Sequence, residues 1–216
     1  MARSRTRFLE LQSLFESHSS LDLRAGIARI IVLYEDLRIE IEGIAAKSLG
    51  PLDTTSESYR MQYFLRRSIA SLVEFAESIR MLHSCPDFHL VRSCFDNKAV
   101  THWDTAVEYF KTAEGFLKQV RNDIGGHFGH SASRYPIANL VSGALGKFEV
   151  VEMASGAADI RLHFAGELAA TAMFRHLRGN SQKEKMDGLV NIVDTSYGHA
   201  AKCAADIAHC YFWKKS

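Results

Sequence analysis

A cation and an imidazole lie close together near the middle of the chain. Arg121 is followed directly by Asn122 and, six residues on, by His127, with Gly125 and Gly126 in between. A guanidinium stays charged and can hold an oxyanion at two points, whereas an imidazole gains and loses a proton near neutral pH. These residue types suit charge stabilisation and proton transfer within one site, if the chain brings them together.

The segment before these residues predicts a long amphipathic helix that ends between Arg121 and His127. On a continuous helix six residues rotate by about 600°, so the two side chains would point to different sides. Gly125 can take the left-handed conformation that ends a helix, which would let His127 turn back toward Arg121. The apolar residues recur at steps of three and four, as in a helix that faces a core: Val100, Trp103, Val107, Phe110, Ala113, Leu117, Val120 and Ile124.

This arrangement resembles the R-x(4–6)-H motif of HEPN domains, including the polar residue that follows the arginine. The resemblance covers about residues 54–130 and implies a helical bundle. It also implies a metal-independent endoribonuclease, as in toxin–antitoxin, abortive-infection and RNA-processing systems. In that reading Arg121 holds the phosphate, His127 transfers protons, and Asn122 orients His127 or binds the substrate. No cofactor is expected.

The resemblance further implies a homodimer in which two motifs face each other, and an antitoxin or regulatory partner. Gly129 occupies the position where one toxin subtype carries a tyrosine that a nucleotidyltransferase antitoxin modifies. That departure argues against a partner acting in this way.

A structural interpretation of the same motif is also open. An arginine in the last helical turn complements the helix dipole, and Asn and Gly are ordinary residues at a helix end. His127 would then be an exposed loop residue. The protein would be a non-catalytic helical protein that binds a ligand or acts as a scaffold, and the near-zero net charge of +1 favours this interpretation somewhat.

Further RNA-binding candidates lie near the motif. Arg66 and Arg67 are on the polar side of a predicted helix that begins at Thr54, together with Arg60, and His130 follows the motif. The ordinary interpretation of these arginines is a solvated helix face, and the sharper one is a phosphate-binding flank. His127 and His130 are three residues apart, but nothing between them offers a further ligand, so no metal site is expected.

The rest of the chain predicts a mainly α-helical bundle with a small β-hairpin near residues 147–164. Further helices are expected over residues 6–16, after Ser19 or Ser20, over 86–95, over 168–177 and after Ser181, whereas residues 131–146 suit a loop with about one helical turn. Arg175, His176 and Arg178 are placed in the last turn of the 168–177 helix. We predict a single domain, 1–216, with a motif-bearing core at about 54–130 and the segment 147–213 packed on it.

Composition and cysteine spacing bear on where the protein acts. Hydrophobic residues make up 47% of the chain, and no apolar run approaches the ~18 residues of a membrane span. Glu10, Gln12 and Glu16 interrupt the N-terminal region, so no signal peptide is expected. The four cysteines lack the spacing of a small secreted disulfide framework, and they predict reduced thiols in a cytoplasmic protein.

Overall fold

The computed structural model describes residues 20–46, 54–124, 130–139, 148–152, 158–162 and 164–213 of the chain. These residues form seven α-helices, a two-stranded sheet and a short π-helical segment at Ala208–Trp213. The helices are α1 (Leu21–Ala45), α2 (Thr54–His83), α3 (Phe88–Arg92), α4 (Asn97–Ile124), α5 (His130–Ala138), α6 (Ala165–Phe174) and α7 (Gln182–Ile207). The predicted helical bundle is confirmed. The helix predicted over residues 6–16 lies outside the described residues.

Helices α1 and α2 pack against each other along most of their lengths. Ser20 caps α1, because its side chain accepts a hydrogen bond from the amide of Leu23. Near the other end of α1, Gly43 is required by close approach, since a Cβ there would lie 2.7 Å from the ring of Phe64. Arg60 of α2 donates hydrogen bonds to the carbonyls of Gly43 and Ala46. It therefore closes the C-terminus of α1 rather than lying on a freely solvated face.

Helix α4 carries the central aromatic core. The ring of Trp103 lies 4.5 Å from that of Phe88, and Phe110 lies 5.8 Å from Phe75 of α2. The indole nitrogen of buried Trp103 donates to Nδ1 of His83 over 3.1 Å, which satisfies its polar group. Of the apolar seam predicted for α4, Trp103, Phe110, Leu117 and Val120 are buried, and Val100, Val107 and Ala113 are partly buried. Helix α7 packs on α4 through its own buried residues Leu189, Val193, Ala200, Cys203 and Ile207.

The segment after the motif contains a nine-residue helix, α5, where the sequence predicted a loop with about one helical turn. Ser131 and Ser133 favour turns, but they stand in the first turn of α5, where serine is well tolerated. Pro136 comes so late that the helix ends only two residues beyond it. Packing of α5 against α6 stabilises the helix, an effect that local propensity does not contain.

The predicted hairpin is present. Strand β1 (Phe148–Glu152) pairs antiparallel with β2 (Ala158–Leu162), with Val150 opposite Ile160. Alternate residues of paired strands share one face, so Val150 and Leu162 lie on the same side of the hairpin. Both side chains are about half exposed, at 50% and 51%. An apolar face of the hairpin is therefore left uncovered by the described residues of the chain.

Helix α6 begins and ends about three residues earlier than predicted, at Ala165 and Phe174. Arg175, His176 and Arg178 consequently follow the helix instead of occupying its last turn. The chain turns at Gly179, whose φ of +148° is a conformation that side chains rarely adopt. This early end matters for the site, because it frees Arg175 and His176 to reach back toward α4.

Candidate functional site at the end of helix α4

Arg121 lies in the last turn of α4 and forms an ion pair with α2. Its Nη2 atom is 2.7 Å from Oε1 of Glu74, whose other carboxylate oxygen accepts a hydrogen bond of 2.6 Å from Arg29 of α1. The side chains of Arg121 and Glu74 are about one-third exposed, at 36% and 33%. Three helices thus meet at one carboxylate, and the guanidinium of Arg121 stays accessible to solvent.

The ion pair of Arg121 belongs to a longer row of alternating charges on α2 and α4. Lys118 contacts both Glu77, at 3.2 Å, and Glu114, at 2.6 Å, and Arg80 lies 3.0 Å from Glu114. The hydrogen bond from Lys118 and the nearby charge of Arg80 hold the pKa of Glu114 below its ordinary value, against the opposing effect of burial. Arg121 is therefore set in a mixed-charge face rather than in a basic patch.

The other motif residues are placed only in part. Asn122 is exposed next to Arg121. His127 lies outside the described residues, and for His130 the structure gives the start of helix α5 but not the side chain. The convergence of Arg121 and His127, on which the motif would depend, stays a prediction.

The two flanking arginines of α2 have protein partners. Arg67 is exposed and its Nε atom lies 3.7 Å from Oε1 of Glu40 on α1. Arg66 holds its guanidinium 5.6 Å from the ring centroid of Tyr59. Both lie seven or eight residues before Glu74 on the same helix, which is roughly 10–12 Å along its axis. Their role as an RNA-binding flank stays a prediction.

A cluster that the sequence analysis missed lies on the other side of α4. Asp123 is buried, with 5% of its surface exposed, and its carboxylate accepts hydrogen bonds from Nε and Nη2 of Arg175. The Nε2 atom of His176 contacts the same carboxylate and lies 2.9 Å from Nε of Arg175. The guanidinium of Arg175 lies 5.7 Å from the ring centroid of Tyr135 on α5. Arg175 thus contacts both Asp123 of α4 and Tyr135 of α5.

Which nitrogen of the His176 ring carries the proton determines the hydrogen bonds of this cluster. When Nε2 of His176 carries a proton, it donates to Asp123, and when Nε2 is bare it can accept from Arg175. One nitrogen cannot do both at once, so the hydrogen bonds of Nε2 to Asp123 and to Arg175 are alternatives. A signal for the cluster was present in the sequence. Asp123 lies three residues after Val120, on the apolar stripe of the helix, where a carboxylate requires a partner.

A small cavity opens beside the cluster. It has a volume of about 220 Å³ and lies between α5, the end of α6 and the start of α7. Its lining includes Arg175 and Tyr135, together with several amide and hydroxyl side chains. A larger cavity of about 460 Å³, bordered by Arg29 and Met81, lies between α1 and α2.

A second polar cluster joins α4 to α7. Nδ1 of His102 lies 3.1 Å from Oδ2 of Asp206, and the hydroxyl of Tyr109 forms a 2.8 Å hydrogen bond with Ser196. His199 stacks on the ring of Tyr109 at 4.5 Å, and burial lowers the pKa of His199. These contacts satisfy polar groups in the helix interface, and this is their evident structural role.

The described residues contain no group of three or more His, Cys, Asp or Glu side chains that could hold a metal ion. Burial raises the pKa of Cys203 to about 12, which keeps its thiol protonated and unsuited to metal binding. No disulfide joins Cys85, Cys94, Cys203 and Cys210, all of which lie in the described part of the chain. Among the described helices, none combines the length and apolar character needed to cross a bilayer.

Comparison with protein-family models found no match, and comparisons with curated proteins and with solved structures found no significant match. The likeness to HEPN domains therefore rests on Arg121, Asn122 and His127 in their helix-end context.

Proposed function

We propose that the protein is a metal-independent endoribonuclease of the HEPN type that acts in the cytoplasm in a toxin, abortive-infection or RNA-processing role. The observation that supports this proposal is the position of Arg121. It lies in the last turn of α4, is one-third exposed, and is held by a carboxylate that a phosphate could replace. A bidentate guanidinium–phosphate contact is stronger and more directional than an exposed ion pair.

In the proposed mechanism the ribose 2′-hydroxyl attacks the adjacent phosphorus and the 5′-oxygen leaves. His127 of one protomer takes the proton of the 2′-hydroxyl, and the same residue of the second protomer gives a proton to the leaving 5′-oxygen, since an imidazole titrates near the working pH. Arg121 stabilises the negative charge that develops on the phosphate oxygens, and Asn122 orients His127 or the substrate. Because the attacking group is the 2′-hydroxyl, RNA and not DNA is the substrate, and the products carry 2′,3′-cyclic phosphate ends.

The active form in this proposal is a homodimer in which two motifs share one cleft. The uncovered face of the hairpin supports it, since Val150 and Leu162 are each about half exposed. Ile137 of α5, at 58%, adds a further exposed apolar side chain. Exposed apolar side chains that share one face, as Val150 and Leu162 do, are typical of contact surfaces. Light scattering at high micromolar concentration tests this part, and a monomer would contradict it.

The experiment that tests the proposal incubates the purified protein with mixed RNAs in EDTA and analyses the product ends. His127→Ala and Arg121→Ala should each lower cleavage by ~10²–10⁴-fold, and Arg121→Lys should stay poor because an ammonium lacks the planar two-point grip. The matched control is Arg80→Ala, which removes an exposed arginine from the same row of charges. Full activity in His127→Ala, or cleavage that requires added metal, would overturn the proposal.

A second function is a non-catalytic helical protein that binds a ligand or acts as a scaffold. The ion pair between Arg121 and Glu74 favours it, because the guanidinium already has a partner without any substrate. The same purified protein separates the two functions. RNA that binds but stays intact after prolonged incubation would favour the binding protein.

A further inference from the structure

We propose that the small cavity between α5 and α7 receives one unpaired nucleobase of single-stranded RNA, and so positions the strand next to the end of α4. We call it the Tyr135 pocket, and its lining includes Tyr135, Asn139, Arg175, Asn180, Gln182 and Lys185. The inference rests on the proposed function, because it assigns the substrate contact that accompanies cleavage.

The position of the pocket links it to the motif. Arg175 lines the pocket and also binds Asp123, which lies two residues after Arg121 on α4. Arg121 lies on the opposite side of this helix end, so a strand whose base is held against Arg175 would have to cross the end of α4 to reach Arg121. With a volume of about 220 Å³ the pocket is smaller than the roughly 300–1,000 Å³ of sites for drug-sized ligands. It suits a single heterocycle.

The lining chemistry matches a base. Tyr135 is 38% exposed, and its ring lies against the guanidinium of Arg175. Splayed RNA bases stack on aromatic rings and on guanidinium planes. The side-chain amide nitrogen of Asn139 donates a hydrogen bond to the backbone carbonyl of Tyr135. The side-chain oxygen of Asn139 therefore remains able to accept a hydrogen bond from a base. The side chains of Asn180 and Gln182 add amide donors and acceptors of the kind that pair with base edges.

The charges of the pocket favour a neutral heterocycle over a bare phosphate. The charge of Arg175 is already compensated by the two-point contact with Asp123. At the start of α7, the carboxylate of Glu184 accepts a hydrogen bond from the backbone amide of Asn180. The backbone amide of Glu184 donates to the hydroxyl of Ser181. The described residues offer Lys185 no ion pair, so it remains as one cation for the sugar–phosphate beside the base. A dedicated phosphate site would leave more donors uncompensated.

The test measures binding of single-stranded RNA octamers by fluorescence anisotropy in the His127→Ala background, so that the proposed cleavage cannot consume the probe. Tyr135→Leu should weaken binding roughly 5- to 150-fold through the loss of one base–aromatic stack. Tyr135→Phe should bind like the parent, since it keeps the ring. Tyr63→Leu is the matched control, an exposed tyrosine of α2 whose loss should leave binding unchanged. If Tyr135→Leu fails to fold, Asn180→Ala takes its place and should weaken binding several-fold.

Competition identifies the ligand chemistry. Free nucleosides should compete with the octamer and inorganic phosphate should not. Phosphate competition without nucleoside competition, or unchanged binding in folded Tyr135→Leu, would overturn the pocket assignment. If wild-type protein cleaves RNA while Tyr135→Leu binds normally, the pocket assignment fails and the proposed ribonuclease stands. If RNA binds through Tyr135 and is never cleaved, the pocket stands and the ribonuclease fails. Absence of any RNA binding overturns both.

Discussion

The last turn of α4 has two chemically different sides. Arg121 and Asp123 are two residues apart, which on a helix is about 200°, so they point in nearly opposite directions. Arg121 reaches the partly exposed carboxylate of Glu74, whereas Asp123 is buried against Arg175 and His176. An exposed pair can exchange its partner for a ligand at little cost, and a buried one cannot. One helix end therefore combines an exchangeable cation, Arg121, with a fixed anchor, Asp123.

The largest expected loss of stability comes from removing the buried carboxylate of Asp123. Asp123→Ala leaves Arg175 without its carboxylate in a largely buried position, and breaking such a pair typically costs about 3–5 kcal/mol. Urea unfolding followed by circular dichroism measures the loss. Asn122→Ala is the matched control on the neighbouring exposed residue, where the change should stay within about 0.5 kcal/mol. Equal stabilities for the two variants would show that the Asp123 cluster does not anchor α4 to the segment after α6.

A third carboxylate, that of Glu40, is buried without a full set of hydrogen-bond partners. Glu40 of α1 accepts a 3.0 Å hydrogen bond from Ser71, while its Oε2 atom has no hydrogen-bond partner among the described residues. The Nε atom of Arg67 lies 3.7 Å from Oε1 of Glu40, which is within the range of an ion pair but too long for a hydrogen bond. Burial raises the pKa of Glu40 from 4.5 to about 7. The guanidinium of Arg175 compensates the burial of the Asp123 carboxylate, whereas Glu40 avoids a buried charge by keeping its proton.

The sign of the resulting pH dependence follows from the raised pKa. Between about pH 4.5 and 7 the folded state holds a proton on Glu40 that the unfolded state has released, so this contribution to stability falls as pH rises. Each pH unit in that window is worth about 1.4 kcal/mol, so the loss is on the order of 3 kcal/mol. Glu40→Gln should therefore be more stable than wild type at pH 8 and similar to it at pH 4.

Thermal melts at pH 4, 6 and 8 measure this contribution. Glu35→Gln is the matched control on the same helix, since Glu35 is 52% exposed and pairs with Arg38 one turn away. It should leave the pH profile of wild type unchanged. A profile for Glu40→Gln that runs parallel to wild type would contradict the assignment of the pH dependence to this carboxylate.

The sequence predicted the helices well where the apolar pattern is long and capped. The seam of α4 and the cap at Ser181, whose hydroxyl accepts from the amide of Glu184 over 3.1 Å, are examples. It did not predict α5, because serine and proline favour turns locally and the stabilising contact with α6 is tertiary. Local pattern determines where a helix has an apolar face, but not which neighbour covers it.

In the candidate site, too, the local pattern was predicted and the tertiary contacts were not. The sequence placed Arg121 and Asn122 correctly at the end of α4, since glycines follow the apolar pattern there. It could not predict Glu74 as the partner of Arg121, because an ion pair between residues 47 positions apart depends on how α2 and α4 cross. It treated Arg175 and His176 as ordinary last-turn residues, because the early end of α6 was not visible in a nearly uniform apolar stretch.

The smallest expected effect concerns the partly exposed ion pair between Arg121 and Glu74. Glu74→Gln keeps the shape of the side chain but removes the charge that holds Arg121. Exposed pairs are worth about 0.2–1 kcal/mol, so stability should change by no more than about 1 kcal/mol. If Arg121 binds phosphate as proposed, Glu74 competes with the RNA for the same guanidinium. Removing that competition should tighten RNA binding by about 1.5- to 5-fold, measured by anisotropy at fixed salt.

The control for this last prediction is Glu77→Gln, one turn further along α2. It removes the same charge from the same row, but its main partner is Lys118 at 3.2 Å and not Arg121. A general electrostatic gain would raise RNA affinity in both variants equally, because RNA responds to the summed charge of the surface. A gain confined to Glu74→Gln, and lost again when Arg121→Ala is added, would assign the phosphate contact to Arg121. Equal gains, or none in either variant, would contradict an exchangeable Arg121.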